Sequence, residues 1–277
     1  MHQAIPAAIL AAAAGLGGSA LAQTRVIEET LVVRDPTVAP AGGSVFGASA
    51  EALYINAPFS SFSTSDDGTL EEGRAKATSY GGNVFAGYGD FTAQYTYRAA
   101  RGHSTLTHEP SSSVPERYSH SVEAVPRQQE ILLRWLGRGI SMSWCTPYLY
   151  LGYTWLDSEF DDVRSTGTWP ASGTNTLHSK VQTRSGIGGL GLIVPFSENW
   201  GLRGDIGVTN TKMTSNRQGH QQVEDKGIGS RWTGTFYWTF ARSWNAQLGA
   251  RYEYFNGERA GSMTIAGVFA MLGVTFK

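Results

Sequence analysis

Between Trp244 and Tyr254 every second residue is apolar: Trp244, Ala246, Leu248, Ala250, Tyr252 and Tyr254 alternate with Asn245, Gln247, Gly249, Arg251 and Glu253. A period of two is that of a β-strand, whose successive side chains point to opposite faces. This segment therefore predicts a strand with one apolar and one polar face. Its steps of about 3.3 Å, tilted by roughly 40°, climb about 25 Å, the height of the apolar band of a membrane-spanning strand. The same rule predicts strands over 45–56, 74–88, 90–101, 127–137, 146–157, 179–194, 199–213, 227–240 and 262–277. Ten is an even number, and an even count returns the chain to the side on which it began.

The connections alternate in length. Tyr88 to Phe91, Phe196 to Trp200 and Phe240 to Trp244 are tight and flanked by aromatics, whereas 59–73, 104–126, 158–178 and 214–226 are long and polar. Two connections depart from their class, the longer one around Ser141 to Cys145 and the short tip Asn256 to Gly261. The pattern predicts an all-β fold: an antiparallel up-and-down transmembrane β-barrel of about ten strands, with short periplasmic turns and long outer loops. Trp200, Trp238, Trp244 and Phe276 fall near the periplasmic ends, and Tyr54, Tyr97, Trp232 and Tyr252 near the outer ends, as two interfacial girdles. Those girdles speak against a soluble exported barrel with an apolar lumen. The turn at Arg242 pairs Phe240 with Trp244 and so sets Arg231 opposite Glu253, Trp232 opposite Tyr252 and Phe236 opposite Leu248.

The first 44 residues lack this periodicity. Residues 4–18 are almost wholly apolar and Ala20-Leu21-Ala22 supplies a small-x-small cleavage pattern, so 1–22 reads as a signal peptide with the mature chain starting at Gln23. Pro36, Pro40, Gly42 and Gly43 make 23–44 an extended periplasmic leader, and 45–277 is the barrel. After residue 22 no uninterrupted apolar stretch reaches the ~18 residues of a membrane helix.

Val268, Ala270, Leu272, Val274 and Phe276 occupy every second position of the last strand. This resembles the C-terminal strand of bacterial outer-membrane β-barrel proteins, with the aromatic here penultimate before Lys277. The resemblance implies an outer-membrane location, recognition by the barrel-assembly machinery, and outer-membrane lipid and lipopolysaccharide as surroundings; it names no activity. A formal net charge of −1, from 22 basic and 23 acidic residues, excludes a nucleic-acid footprint. The lone Cys145 forms no intramolecular disulfide and reads as a spectator.

Alternation directs Glu51, Gln94, Arg98, Glu130, Arg134, Arg203, Asp205, Arg231, Arg251 and Glu253 into the lumen. A near-balanced set of guanidiniums and carboxylates suits a neutralising hydrogen-bonded network better than a filter of one sign. A lumen of about ten strands is scarcely wider than the eight-stranded one that side chains fill. Outside the lumen, His103, His108, His120, His178 and His220 fall in or beside the predicted outer loops, near Asp157, Glu159, Asp161 and Asp162. In outline this resembles the omptins, ten-stranded outer-membrane proteases with acidic and histidine residues at the rim, although no Asp-x-Asp or Asp-x-His pair occupies a corresponding strand end. A lipid A-modifying acyl hydrolase would need Ser and His in reach of an oriented carboxylate, and Ser119-His120 alone does not supply that. Glu29-Thr30-Leu31-Val32-Val33 resembles the TonB box of energised transporters, whose barrels are far larger. Gly186-x-Gly188-Gly189-x-Gly191 precedes no helix and reads as relief of crowding or a permitted bend rather than a nucleotide loop. No cofactor or metal is expected, and no catalytic residue is assigned. Two functions stay open: a non-enzymatic barrel, narrow or plugged, acting as a porin-like small-solute channel or surface structural protein, and an outer-membrane hydrolase with a site in the outer loops.

Overall fold

The computed structural model describes residues 35–61, 71–108, 118–142, 144–164, 176–217, 222–241, 243–257 and 262–277. The signal-peptide cleavage site, the Glu29 to Val33 segment and His220 lie outside them. Ten strands run in chain order: β1 (Ser44–Ser61), β2 (Glu71–Tyr88), β3 (Phe91–His108), β4 (Tyr118–Leu136), β5 (Thr146–Arg164), β6 (Thr176–Pro195), β7 (Trp200–Arg217), β8 (Val223–Thr239), β9 (Trp244–Gly257) and β10 (Ser262–Phe276). Each pairs antiparallel with its chain neighbours, and β1 pairs with β10, from Phe46 opposite Phe276 to Ile55 opposite Gly267, so the sheet closes into a barrel. Closure leaves no sheet edge for lipid to meet with unpaired backbone groups.

The outward face explains the alternation. Leu149, Leu151 and Tyr153 on β5, Ile206 and Val208 on β7, and Leu248 and Tyr252 on β9 are all exposed. Exposed apolar rows on every side of a cylinder make a continuous greasy belt, which water does not tolerate and a bilayer requires. Both predicted girdles face outward: Trp200, Trp238, Trp244 and Phe276 at one end, Tyr54, Tyr97, Trp232 and Tyr252 at the other. At the first end the turns are tight. Gly89 adopts a positive φ of 56° in the two-residue turn between β2 and β3, a conformation that glycine takes without steric cost. The β4–β5 connection is the longer one expected there, with a single 3-10 turn at Arg138–Ile140. Across the β8–β9 turn, Arg231 pairs with Glu253, Trp232 with Tyr252 and Phe236 with Leu248, in the register that the turn length predicts.

At the outer end the expected boundaries need correction. The strands run on into the segments read as long loops: β3 reaches His108, β4 starts at Tyr118 and β5 reaches Arg164. Above the belt both faces of the sheet are wet, so alternation fades from the sequence while the backbone ladder continues. Ion pairs replace apolar rows on the outward face there: Lys212 Nζ lies 3.0 Å from Glu224 Oε2, and Arg184 Nη1 3.1 Å from Asp157 Oδ1. His103, His108, His120 and His178 consequently stand in strand extensions, not in loops.

The inward face carries a tyrosine ladder. Tyr148, Tyr150 and Tyr237 are buried, and glycines on the neighbouring strands leave room for their rings. A Cβ on Gly191 would lie 2.3 Å from Tyr148 Cζ, and one on Gly189 would lie 2.6 Å from Tyr150 Cζ and 2.3 Å from the Ile206 carbonyl oxygen. Relief of crowding therefore holds at these two glycines, whereas Gly186 and Gly188 face open space or ordinary contact. Gly189→Ala is expected to cost about 1–3 kcal/mol by overpacking. Gly188→Ala, whose Cβ would meet nothing closer than Leu151 Cδ2 at 3.4 Å, should leave the unfolding midpoint in urea unchanged. Equal midpoints for the two variants would refute the ladder's tightness.

Candidate functional site: the charged lumen and its floor

Every lumen residue expected from alternation lies on the inner face, and nine of the ten line one internal cavity: Glu51, Gln94, Arg98, Glu130, Arg134, Arg203, Asp205, Arg231 and Arg251. Glu253, buried at 3% exposure, packs behind Arg251. The groups divide into two tiers.

The middle tier centres on Glu130 of β4. Arg231 on β8 reaches it across the lumen, with Nη1 donating to Oε2 at 2.5 Å and Nη2 to Oε1 at 3.3 Å. Arg251 Nη2 donates to Glu130 Oε2 at 3.3 Å and also to Glu253, and Thr154 Oγ1 donates to Glu130 Oε2 at 3.3 Å. Beside them Arg98 clasps Glu51 in a two-pronged pair, Nε to Oε1 at 2.7 Å and Nη2 to Oε2 at 3.0 Å. Register alone points Arg231 at Glu253, yet those two approach only to 3.7 Å. Arg231 spans to Glu130 instead, because a long guanidinium arm in a narrow cylinder reaches the opposite wall as easily as its neighbour. Among the described residues Arg231 Nε and Arg251 Nη1 are buried without a hydrogen-bond partner.

The lower tier lies near the periplasmic ends of the strands and includes a group that the periodicity did not reveal. The leader does not stand apart from the barrel at residues 35–39, which are buried and cover the lumen floor. Asp35 and Ala39 are both 0% exposed. Arg203 Nη1 on β7 donates to Asp35 Oδ2 at 2.8 Å, to Asp35 Oδ1 at 3.1 Å and to Thr37 Oγ1 at 3.0 Å. Arg134 Nη1 on β4 donates to the same Thr37 oxygen at 3.3 Å, and its Nη2 to Gln94 Oε1 at 2.9 Å. The leader's bend is self-supporting. Thr37 donates to Asp35 Oδ1 from its amide at 2.8 Å and from its hydroxyl at 2.7 Å, an Asx-type turn opened by Asp35-Pro36. Val38 then packs with Leu136, Tyr148 and Tyr237, and Arg138 in the β4–β5 turn donates to the Ala39 carbonyl. Burial raises the pKa of the Asp35 carboxyl, but Arg203 and the Thr37 hydrogen bonds outweigh it, so the group sits below the ordinary carboxylate value. Its contribution to stability is therefore present above the ordinary carboxylate pKa and is lost as pH falls through the depressed value.

Asp205 accepts from Tyr148 Oη at 3.1 Å, and a further carboxylate, Asp225, is buried near the outer end of β8. The cavity left between the tiers is about 40 Å³, room for a few water molecules. On the outer extension the backbone register sets His103, Glu123, Asp161 and His178 in one row across β3 to β6. Among the described residues no cluster of His, Cys, Asp and Glu is placed to hold a metal.

Neither a protein-family model nor a curated protein matches the sequence. Solved structures do. The outer membrane protease OmpT from Escherichia coli superposes with a TM-score of 0.54 at 8% identity, over 84% of this chain and 96% of that one. The fold is that of a bacterial outer-membrane β-barrel. The translocator domain of the autotransporter NalP from Neisseria meningitidis is similar over 98% of both chains at 12% identity, with a TM-score of 0.49. Outer membrane protein OprG from Pseudomonas aeruginosa covers 87% of this chain and 98% of its own at 13% identity, with a TM-score of 0.36. An outer-membrane barrel of this kind sits with its greasy belt in the bilayer, its tight turns in the periplasm and its strand extensions outside.

Proposed function

We propose that the protein is a non-enzymatic outer-membrane barrel whose resting lumen is closed, and that it presents a strand-extended rim at the cell surface. The observation that carries this reading is the obstructed lumen: Asp35 to Ala39 cover the floor, the arginine and carboxylate network bridges the middle, and the cavity that these groups line is about 40 Å³. An open pore needs a continuous wet path, and eight-stranded barrels already lack one. Lipid and lipopolysaccharide surround the belt, and the barrel-assembly machinery engages the last strand, ending in Phe276. Planar-bilayer recordings of refolded protein are expected to give small or rare openings. Large, steady conductance would overturn the closed reading and make the barrel a channel.

The hydrolase alternative draws on the row His103, Glu123, Asp161 and His178 above the membrane. Cleavage of a peptide library or of lipid A by the wild type, abolished in His178→Ala, would replace the non-enzymatic reading with that one.

A further inference from the structure

Arg203 Nη1 and Arg134 Nη1 both donate to Thr37 Oγ1, at 3.0 and 3.3 Å, so two guanidiniums converge on one neutral oxygen. Among the described residues the ion pair they share is a single one, between Arg203 and Asp35 at 2.8 Å. Arg134 has no carboxylate within ion-pair distance among the described residues, and Asp205, the other carboxylate of this cavity, acts on both arginines only from farther off. The convergent donors therefore make a pocket for an oxyanion, and one carrying two charges complements it better than a carboxylate does. The present occupant belongs to a segment outside the strands. Asp35 and Thr37 precede a bend at Pro40 to Gly43, where the Gly43 amide donates to the Pro40 carbonyl at 3.0 Å and Gly42 takes a positive φ of 67°. Ala41 and Gly42 are exposed at the periplasmic mouth, and Arg138 there adds a third guanidinium 3.2 Å from Asp90.

We propose that the lumen floor is an oxyanion site which Asp35 occupies as a tethered ligand, and that a free small dianion of the phosphate class, entering from the periplasm, competes with Asp35 and undocks the leader. A short tether gives an intramolecular ligand an effective concentration of about millimolar order, so a free dianion at similar concentration can compete. The site rests on the closed-lumen reading, because an undocked leader is what would clear the floor.

The full-length chain carrying Val38→Cys and Cys145→Ser, refolded in detergent, provides the test. Val38 is 4% exposed, so a maleimide reagent should label it slowly. Sodium phosphate is expected to raise the labelling rate several-fold over sodium chloride of equal ionic strength. Arg134→Gln removes one of the two guanidiniums that hold Thr37, so it is compared with its own rate in chloride, and on that background the ratio of the phosphate rate to the chloride rate should fall to about one. Equal rates in phosphate and chloride would overturn the site. If the cysteine variant does not fold, calorimetric titration of phosphate into the wild-type barrel replaces it. Heat of binding lost in Arg134→Gln supports the site, and no binding overturns it. Conductance is read separately: a steadily conducting wild type with phosphate-dependent labelling defeats the closed reading alone, and a silent one with equal labelling rates defeats the site alone.

Discussion

Glu130→Ala is expected to be the most damaging single substitution in the lumen and to turn a quiet barrel into a conducting one. Glu130 accepts from Arg231, Arg251 and Thr154 at once, so truncation leaves two buried guanidiniums short of a partner. Removing one member of a buried ion pair costs about 3–5 kcal/mol, most of it the penalty on the charge left behind. Water entering to solvate those guanidiniums would widen the small existing cavity into a path. Removing Arg231 as well should recover part of the loss, because the stranded charge goes with it; this is the sign of coupling that a double-mutant cycle reads. Urea midpoints and bilayer currents for Glu130→Ala, Arg231→Ala and the pair would settle the matter. Strictly additive losses with unchanged currents would mean that the middle tier is neither coupled nor a barrier.

Leu248→Arg should have a comparable effect from the opposite face. Leu248 is 60% exposed on the belt between Phe236 of β8 and Ala270 of β10. An arginine near the midplane of a lipid-facing strand costs about 2–4 kcal/mol. Leu248→Met keeps volume and polarity, and should cost less than about 1.5 kcal/mol. Folding yield in liposomes is the measurement, and equal yields for the arginine and methionine variants would put this face out of the bilayer.

Much of this was legible in the alternation, for a physical reason: two media on two faces write a period of two into the chain. It marked the periplasmic strand ends to within a residue, as at Tyr88, Thr146 and Trp244, and it named the lumen charges from Glu51 to Glu253. It failed where that contrast ends. Above the belt β5 runs on through Glu159 to Arg164 with water on both sides, and no pattern marks such a strand. Below it, Asp35 and Thr37 belong to no strand, so no periodicity points them inward. Two signals were available: Asp35-Pro36-Thr37 has the chemistry of an Asx turn, and the strand-borne lumen list held one more arginine than carboxylate. Side-chain partnership was a third gap, since register fixes backbone neighbours but not where a guanidinium arm reaches. Arg231 sits opposite Glu253 and bonds Glu130.

That Asp35 precedes β1 also bears on how the ring is put together. Its partner Arg203 stands on β7, far along the chain, and β1 reaches its final place only on pairing with β10. Contacts between such distant parts of a chain form late, after the loop-closure entropy has been met. An unfinished sheet would therefore carry Arg203 without its carboxylate, and the last seam and the last countercharge would arrive together. Closure of the cylinder is in this way reported at its base by a single residue outside the wall.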